Sequence, residues 1–154
     1  MTKAVTQRYA QYIVEIETDP VGAADTFVAM CGIKSLETDR ETEFDEVEIP
    51  HCDDEEKPDA IEVEPKSQKY AVEGTGIWAL SSHLFMYKWW KETQRLRVRV
   101  RNKKVEDDGA TGDLWYEEGY AYLSKMKNDR TKGERVSAEV ALKFDGVPDP
   151  TYKA

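Results

Sequence analysis

His51, Cys52, Asp53, Asp54, Glu55 and Glu56 stand side by side, the one stretch of this sequence that gathers imidazole, thiol and carboxylate groups. A zinc site needs four such ligands converging on a tetrahedron, and adjacent side chains on a loop do not provide that geometry. Calcium accepts carboxylates, but the alternating Asp-x-Asn-x-Asn-Gly order of its helix-flanked loop is missing. The second histidine, His83, follows Ser81 and Ser82. A hydrolase nucleophile sits on a glycine-flanked strand-to-helix turn, which these serines lack. Gly109-Ala110-Thr111-Gly112 is not followed by Gly-Lys-Ser/Thr, so it is no phosphate loop. Glu117 and Glu118 are neighbours on a strand and point to opposite faces, which prevents them from flanking a glycosidic bond. We therefore expect no enzyme, no catalytic residues, no cofactor and no resident metal.

Charge is where the sequence speaks most clearly. From Glu37 to Glu64 fourteen acidic residues face two basic ones, Arg40 and Lys57, a local balance of 2 − 14 = −12 against −9 for the whole chain. The segment still carries spaced apolar residues, Phe44, Val47, Ile49, Ile61 and Val63, which a solvated acidic tail does not need. It reads as an acidic projecting loop or long hairpin, residues 37–66, inserted into a single domain spanning 1–154. Ordering it alone costs about 1–2 kcal/mol of backbone entropy per residue, so a second copy of the chain is expected to supply the surface it packs on. The strong negative charge argues against a generic grip on nucleic acid. No run approaches about 18 apolar residues, so no membrane insertion is expected. Cys31 and Cys52 are expected to be reduced thiols, Cys31 buried among apolar neighbours.

The elements around this insertion read mainly as strands. Tyr12 to Glu17 alternates; Asp19-Pro20 breaks the run. Phe27 to Ile33 is strand or a short helical turn. Pro50 and Pro58 bracket the tip of the acidic segment. Gly74 and Gly76 suggest a bulge or a close backbone approach at a strand end. One good helix runs from Ser81 or Ser82, either of them a possible N-cap, to about Thr93. On a helical wheel Leu80, Leu84, Tyr87, Trp90 and Met86 share an arc of about 160°, read here as the core stripe. Phe85 and Trp89 fall on the other side, where they either meet another subunit or lie under the chain's own loops.

Arg95, Arg97, Arg99 and Arg101 alternate with Leu96, Val98 and Val100, giving one apolar and one guanidinium face. Because that face lacks an interleaved aromatic platform for single-stranded nucleic acid, carboxylates from neighbouring strands or from another subunit's acidic segment are the expected partners. Tyr116, Glu118, Tyr120, Tyr122 and Ser124 form one face of a further strand, opposite Trp115, Glu117, Gly119, Ala121 and Leu123. Val136 to Phe144 is the last strand, with residues 147–154 expected to be flexible. About six to eight strands around one helix make a mainly β fold, a small antiparallel sandwich or barrel flanked by one α-helix.

The order of these elements, with Phe27-Val28-Ala29-Met30-Cys31-Gly32-Ile33-Lys34-Ser35, Lys69 to Ile77, the helix through Trp89-Trp90-Lys91, the arginine strand and Trp115 to Leu123, resembles the major tail tube proteins of long non-contractile phage tails and related gene transfer agents. The likeness spans about residues 8 to 146. It implies a β-sandwich subunit, hexameric rings stacked into a tube, and a long loop, here Glu37 to Lys66, reaching a neighbouring subunit. It further implies a virion or particle tail as the location, assembly in the host bacterial cytoplasm, and tape-measure, tail terminator and baseplate proteins as partners. Double-stranded DNA would pass through the lumen without specific binding.

The candidate subunit-interface residues are then Phe44, Glu46, Val47, Glu48, Ile49, Ile61, Val63, Phe85, Trp89, Arg95, Arg97, Arg99 and Arg101. A lumen of net negative charge would keep DNA from sticking, so the arginines are expected to be mostly neutralised. Two other readings stay open: a terminator or joining protein that closes one ring without stacking, and a β-sandwich binding or adhesion module.

Overall fold

The computed structural model describes residues 3–4, 6–8, 11–22 and 24–154, without the side chains of Ser81 and Ser82. Its elements are β1 (Tyr12–Glu17), β2 (Phe27–Ala29), β3 (Ile33–Ile49), β4 (Ala60–Ile77), α1 (Leu80–Lys91), β5 (Leu96–Asn102), α2 (Lys103–Asp108), β6 (Leu114–Asp129), β7 (Ser137–Phe144) and β8 (Asp149–Tyr152). The strands form one eight-stranded sheet in the order β2-β1-β5-β6-β7-β4-β3, with β8 added to β6. Every pairing is antiparallel.

Alternation decides which face is buried. Val14 and Ile16 of β1, Leu96, Val98 and Val100 of β5, Ala121 and Leu123 of β6, Val140, Leu142 and Phe144 of β7, and Tyr70 and Val72 of β4 all point to one face and form one core. The sheet curls around that core so that β1 approaches β3, and the Tyr12 hydroxyl of β1 hydrogen-bonds Thr38 Oγ1 of β3. This antiparallel, mainly β arrangement flanked by α1 matches the fold class read from the sequence. At the root of β4, Gly76 accommodates a backbone crossing: a Cβ there would lie 2.1 Å from the Gly32 carbonyl oxygen.

Three expectations are corrected. The helix begins at Leu80 with Ala79 as its N-cap and no side-chain cap, so neither Ser81 nor Ser82 holds that position. Residues 149–152 form β8, paired to β6 from Leu114 to Glu118, and Lys153 N–H donates to Asp113 O at 2.9 Å; the C-terminal segment is tied down. Pro150 sits on this short added strand, where a missing N–H is tolerated. Cys31 is exposed in the turn before β3, as is Cys52 in the tip of the long hairpin.

Candidate assembly surfaces

β4 parts from β7 beyond the Ala71–Lys143 pair, while β3 and β4 go on pairing as far as Ile49 and Ala60. This leaves a two-stranded ribbon about 30 Å long at ~3.3 Å per residue. Both of its faces are exposed. The ribbon is the acidic segment of the sequence in extended form.

A bulge determines what each face carries. Glu43 pairs with Ser67 but Phe44 pairs with Pro65, leaving Lys66 as an extra residue in β4. An uninterrupted register would set Val47 opposite Val63 and Ile49 opposite Ile61, a four-residue apolar patch on the outer face. The shift instead pairs Val63 with Glu46 and Ile61 with Glu48. Phe44, Glu46, Glu48, Val63 and Ile61 therefore extend the face that holds Tyr70 and Val72 in the core, whereas Val47 and Ile49 lie on the opposite face. Phe44, Ile61 and Val63 remain more than half exposed. The apolar core stripe thus runs beyond the layer that covers it.

The root of the ribbon is anchored inward. Arg40 is ion-paired to Glu117 of β6, and the Tyr70 hydroxyl donates to Glu117 Oε1 at 3.3 Å. Arg40 also lies over the Tyr70 ring, 5.2 Å from its centroid. Burial, reinforced by the Glu117 charge, pushes the Tyr70 phenol well above its ordinary pKa. Further out, the Lys69 ammonium hydrogen-bonds Glu43 and holds its carboxyl below the usual range.

The helix presents a second apolar surface, and of the expected core stripe only Met86 is buried. Trp89 is fully buried, Met86 is buried and Phe85 is half-buried, with Trp89 Nε1 donating to Gln94 O at 2.8 Å. These residues form the core-facing side, so Trp89 contacts its own chain and is removed from the candidate interface; Phe85 packs against the same core. Leu80, Leu84, Tyr87 and Trp90 point outward, with Leu80 83% exposed. The signal was present: Lys91 falls between Leu80 and Leu84 on the wheel and Lys88 just beyond Leu84, while no charge of α1 interrupts the side of Phe85 and Trp89. His83 packs edge-on to Trp78, their ring centroids 4.3 Å apart.

All four arginines of the β5 face find carboxylates within the chain. Arg95 meets Asp145 at 2.9 Å; Arg97 meets Glu17 at 2.7 Å, Glu118 at 2.9 Å and also Asp25. Arg99 meets Glu118 at 3.3 Å and Arg101 meets Glu15 at 3.1 Å. Each of these arginines thus has a carboxylate partner within its own chain. Elsewhere on the outer surface Glu37, Asp39 and Glu73 cluster on β3 and β4, while Glu139 on β7 is paired with Lys125 at 3.5 Å. Among the described residues no group of three or more His, Cys, Asp or Glu side chains is arranged to hold a metal ion. No helix among them is long and apolar enough to cross a membrane.

A curled antiparallel sheet with one flanking helix and a long hairpin defines a structural class of protein. Its family is that of the phage tail tube proteins, to which this chain belongs, with residues 8–149 matching the family. No curated protein sequence matches it. Solved structures share the fold at low identity. A chain from the tail of an empty gene transfer agent particle, refined with C6 symmetry, superposes with a TM-score of 0.71 at 11% identity, over 97% of this chain and 100% of that one. The SPP1 tail tube gives 0.65 at 9% identity, over 95% and 80% of the two chains. The anti-feeding prophage cap, which terminates a tube, gives 0.61 at 13% identity, over 100% and 95%.

Proposed function

We propose that this chain is the major tail tube subunit: copies close into hexameric rings, and the rings stack into a conduit for DNA from capsid to cell. The ribbon carries this reading. A hairpin of two strands alone is marginally stable in water, and this one extends core-facing apolar residues past its own domain. A sibling subunit would cover them. Ring closure and stacking are both contacts between unlike surfaces of identical chains; the first ends in a closed ring and the second repeats along an axis. The free edge of β3 would be paired in the same assembly, removing an exposed template for aggregation.

The charge distribution suits passage of DNA. The arginines are already matched by carboxylates, and the outer face of β3 and β4 carries Glu37, Asp39 and Glu73, so a lumen lined by that face would repel phosphates. A tape-measure protein, a terminator and baseplate proteins are the further partners of such a tube.

Because the fold is shared with a tube-terminating cap, fold alone does not distinguish a stacking ring from a closing one. Negative-stain electron microscopy of concentrated protein does. Extended cylinders of uniform diameter support the tube subunit; isolated single rings support a terminator, and a persistent monomer supports a binding module.

A further inference from the structure

We infer that the core-side face of the ribbon docks on the outward face of α1 in a second copy of this chain. This identifies the receiving surface for the arm and rests on the tube reading above. Three observations carry it. First, both surfaces are apolar and uncovered: Phe44, Val63 and Ile61 on the ribbon are each more than half exposed, and Leu84, Tyr87 and Trp90 on the helix are each more than two-fifths exposed. Second, their lengths agree. Pro65 to Ile61 spans about 13 Å of strand, and Leu80 to Trp90 about 15 Å of helix. Third, their charges are opposite. Glu46 and Glu48 pair directly with Val63 and Ile61 across the ribbon, while the exposed Lys88 and Lys91 occupy the last turn of α1 among its outward apolar residues.

Each surface alone is a liability of the kind that marks an interaction site. Together they form a contact between different patches of identical chains, which propagates instead of closing on itself as a pair. Opposed charges set its register. The bulge at Lys66 is then functional: it delivers Val63 and Ile61 to the face that reaches the helix, and keeps them from merging with Val47 and Ile49.

The test is a charge exchange read as the critical concentration for polymerisation of the full-length chain. Glu46→Lys/Glu48→Lys and Lys88→Glu/Lys91→Glu are each expected to raise it about tenfold or more. The quadruple exchange is expected to return it to within about threefold of wild type. All four side chains are exposed, so the monomers should melt as wild type does; if a reversal disturbs folding, the glutamine versions at the same positions should show the same direction with a smaller effect. Loss of assembly on changing the glutamates but none on changing the lysines, or no rescue in the quadruple variant, overturns the helix as receiver while leaving the tube reading intact. Failure of wild-type protein to polymerise overturns both. A Leu84→Cys variant lacking Cys31 and Cys52 should form intermolecular disulfides efficiently only when Val63→Cys is also present; efficient linkage of Leu84→Cys alone would show helix-to-helix pairing and contradict the inference.

Discussion

Arg40, where the ribbon leaves the sheet, is ion-paired to Glu117 on the core side of β6. The carboxylate is largely buried, and it also accepts the Tyr70 hydroxyl. The pair joins the first residue of the projecting ribbon to the centre of the domain and so sets the direction in which the ribbon departs. Arg40→Ala should lower the free energy of unfolding by about 1–2 kcal/mol, the cost of leaving a buried carboxylate short of a partner, reduced because Arg40 is half exposed. Urea unfolding of the monomer checks this; an unchanged midpoint would show that the pair contributes nothing.

The same cluster makes a prediction at alkaline pH. With its phenol pKa raised in the folded state, Tyr70 contributes stability that is whole below the unfolded value of about 10 and is lost as pH climbs above it. Stability should therefore decline above about pH 10 more steeply in wild type than in Tyr70→Phe. Parallel decline in the two proteins would contradict the assignment.

Arginines on the β5 face should differ in worth although the sequence presents them as equivalents. Arg95 and Asp145 are each about half exposed, so Arg95→Ala should cost about 0–1 kcal/mol. Arg97 neutralises Glu17, whose side chain is 8% exposed. Arg97→Ala leaves that charge without a cation, held only by the Asp25 N–H among the described residues, and should cost about 3 kcal/mol. Chemical denaturation of both variants measures the difference, and equal costs would refute it.

The two ribbon faces should separate in assembly. Val63→Glu, on the face continuous with the core, should raise the critical concentration for polymerisation about tenfold, as expected from losing one buried aliphatic side chain. Val47→Glu, on the opposite face, should change it less than about threefold. Reversal of that order in sedimentation assays would assign the contact to the other face.

Where one face of an element was apolar and the other charged, the sequence was legible. The alternation of Leu96 to Asn102, the two faces of β6 and the last core strand all follow from period-two patterning, and charge density alone marked the long hairpin. Orientation of α1 was harder because apolar residues occur around much of its circumference; Trp89 faces inward because its indole nitrogen reaches Gln94 O and its ring fills the core. Of the five residues read as the core stripe only Met86 is buried, beside Trp89, while the other four face outward. Nothing in the local sequence announced the bulge at Lys66, since register depends on the turn and both strands together. The short helix α2, Lys103–Asp108, carries only Val105 as an apolar residue, so no periodic stripe announced it.

The central claim is that the ribbon completes its structure on a neighbouring copy, and amide hydrogen exchange of residues 41–49 and 60–69 tests it most directly. The monomer should exchange these amides rapidly, as a solvent-exposed two-stranded ribbon does, and assembled tubes should protect them strongly. Equal exchange in monomer and tube would contradict the account.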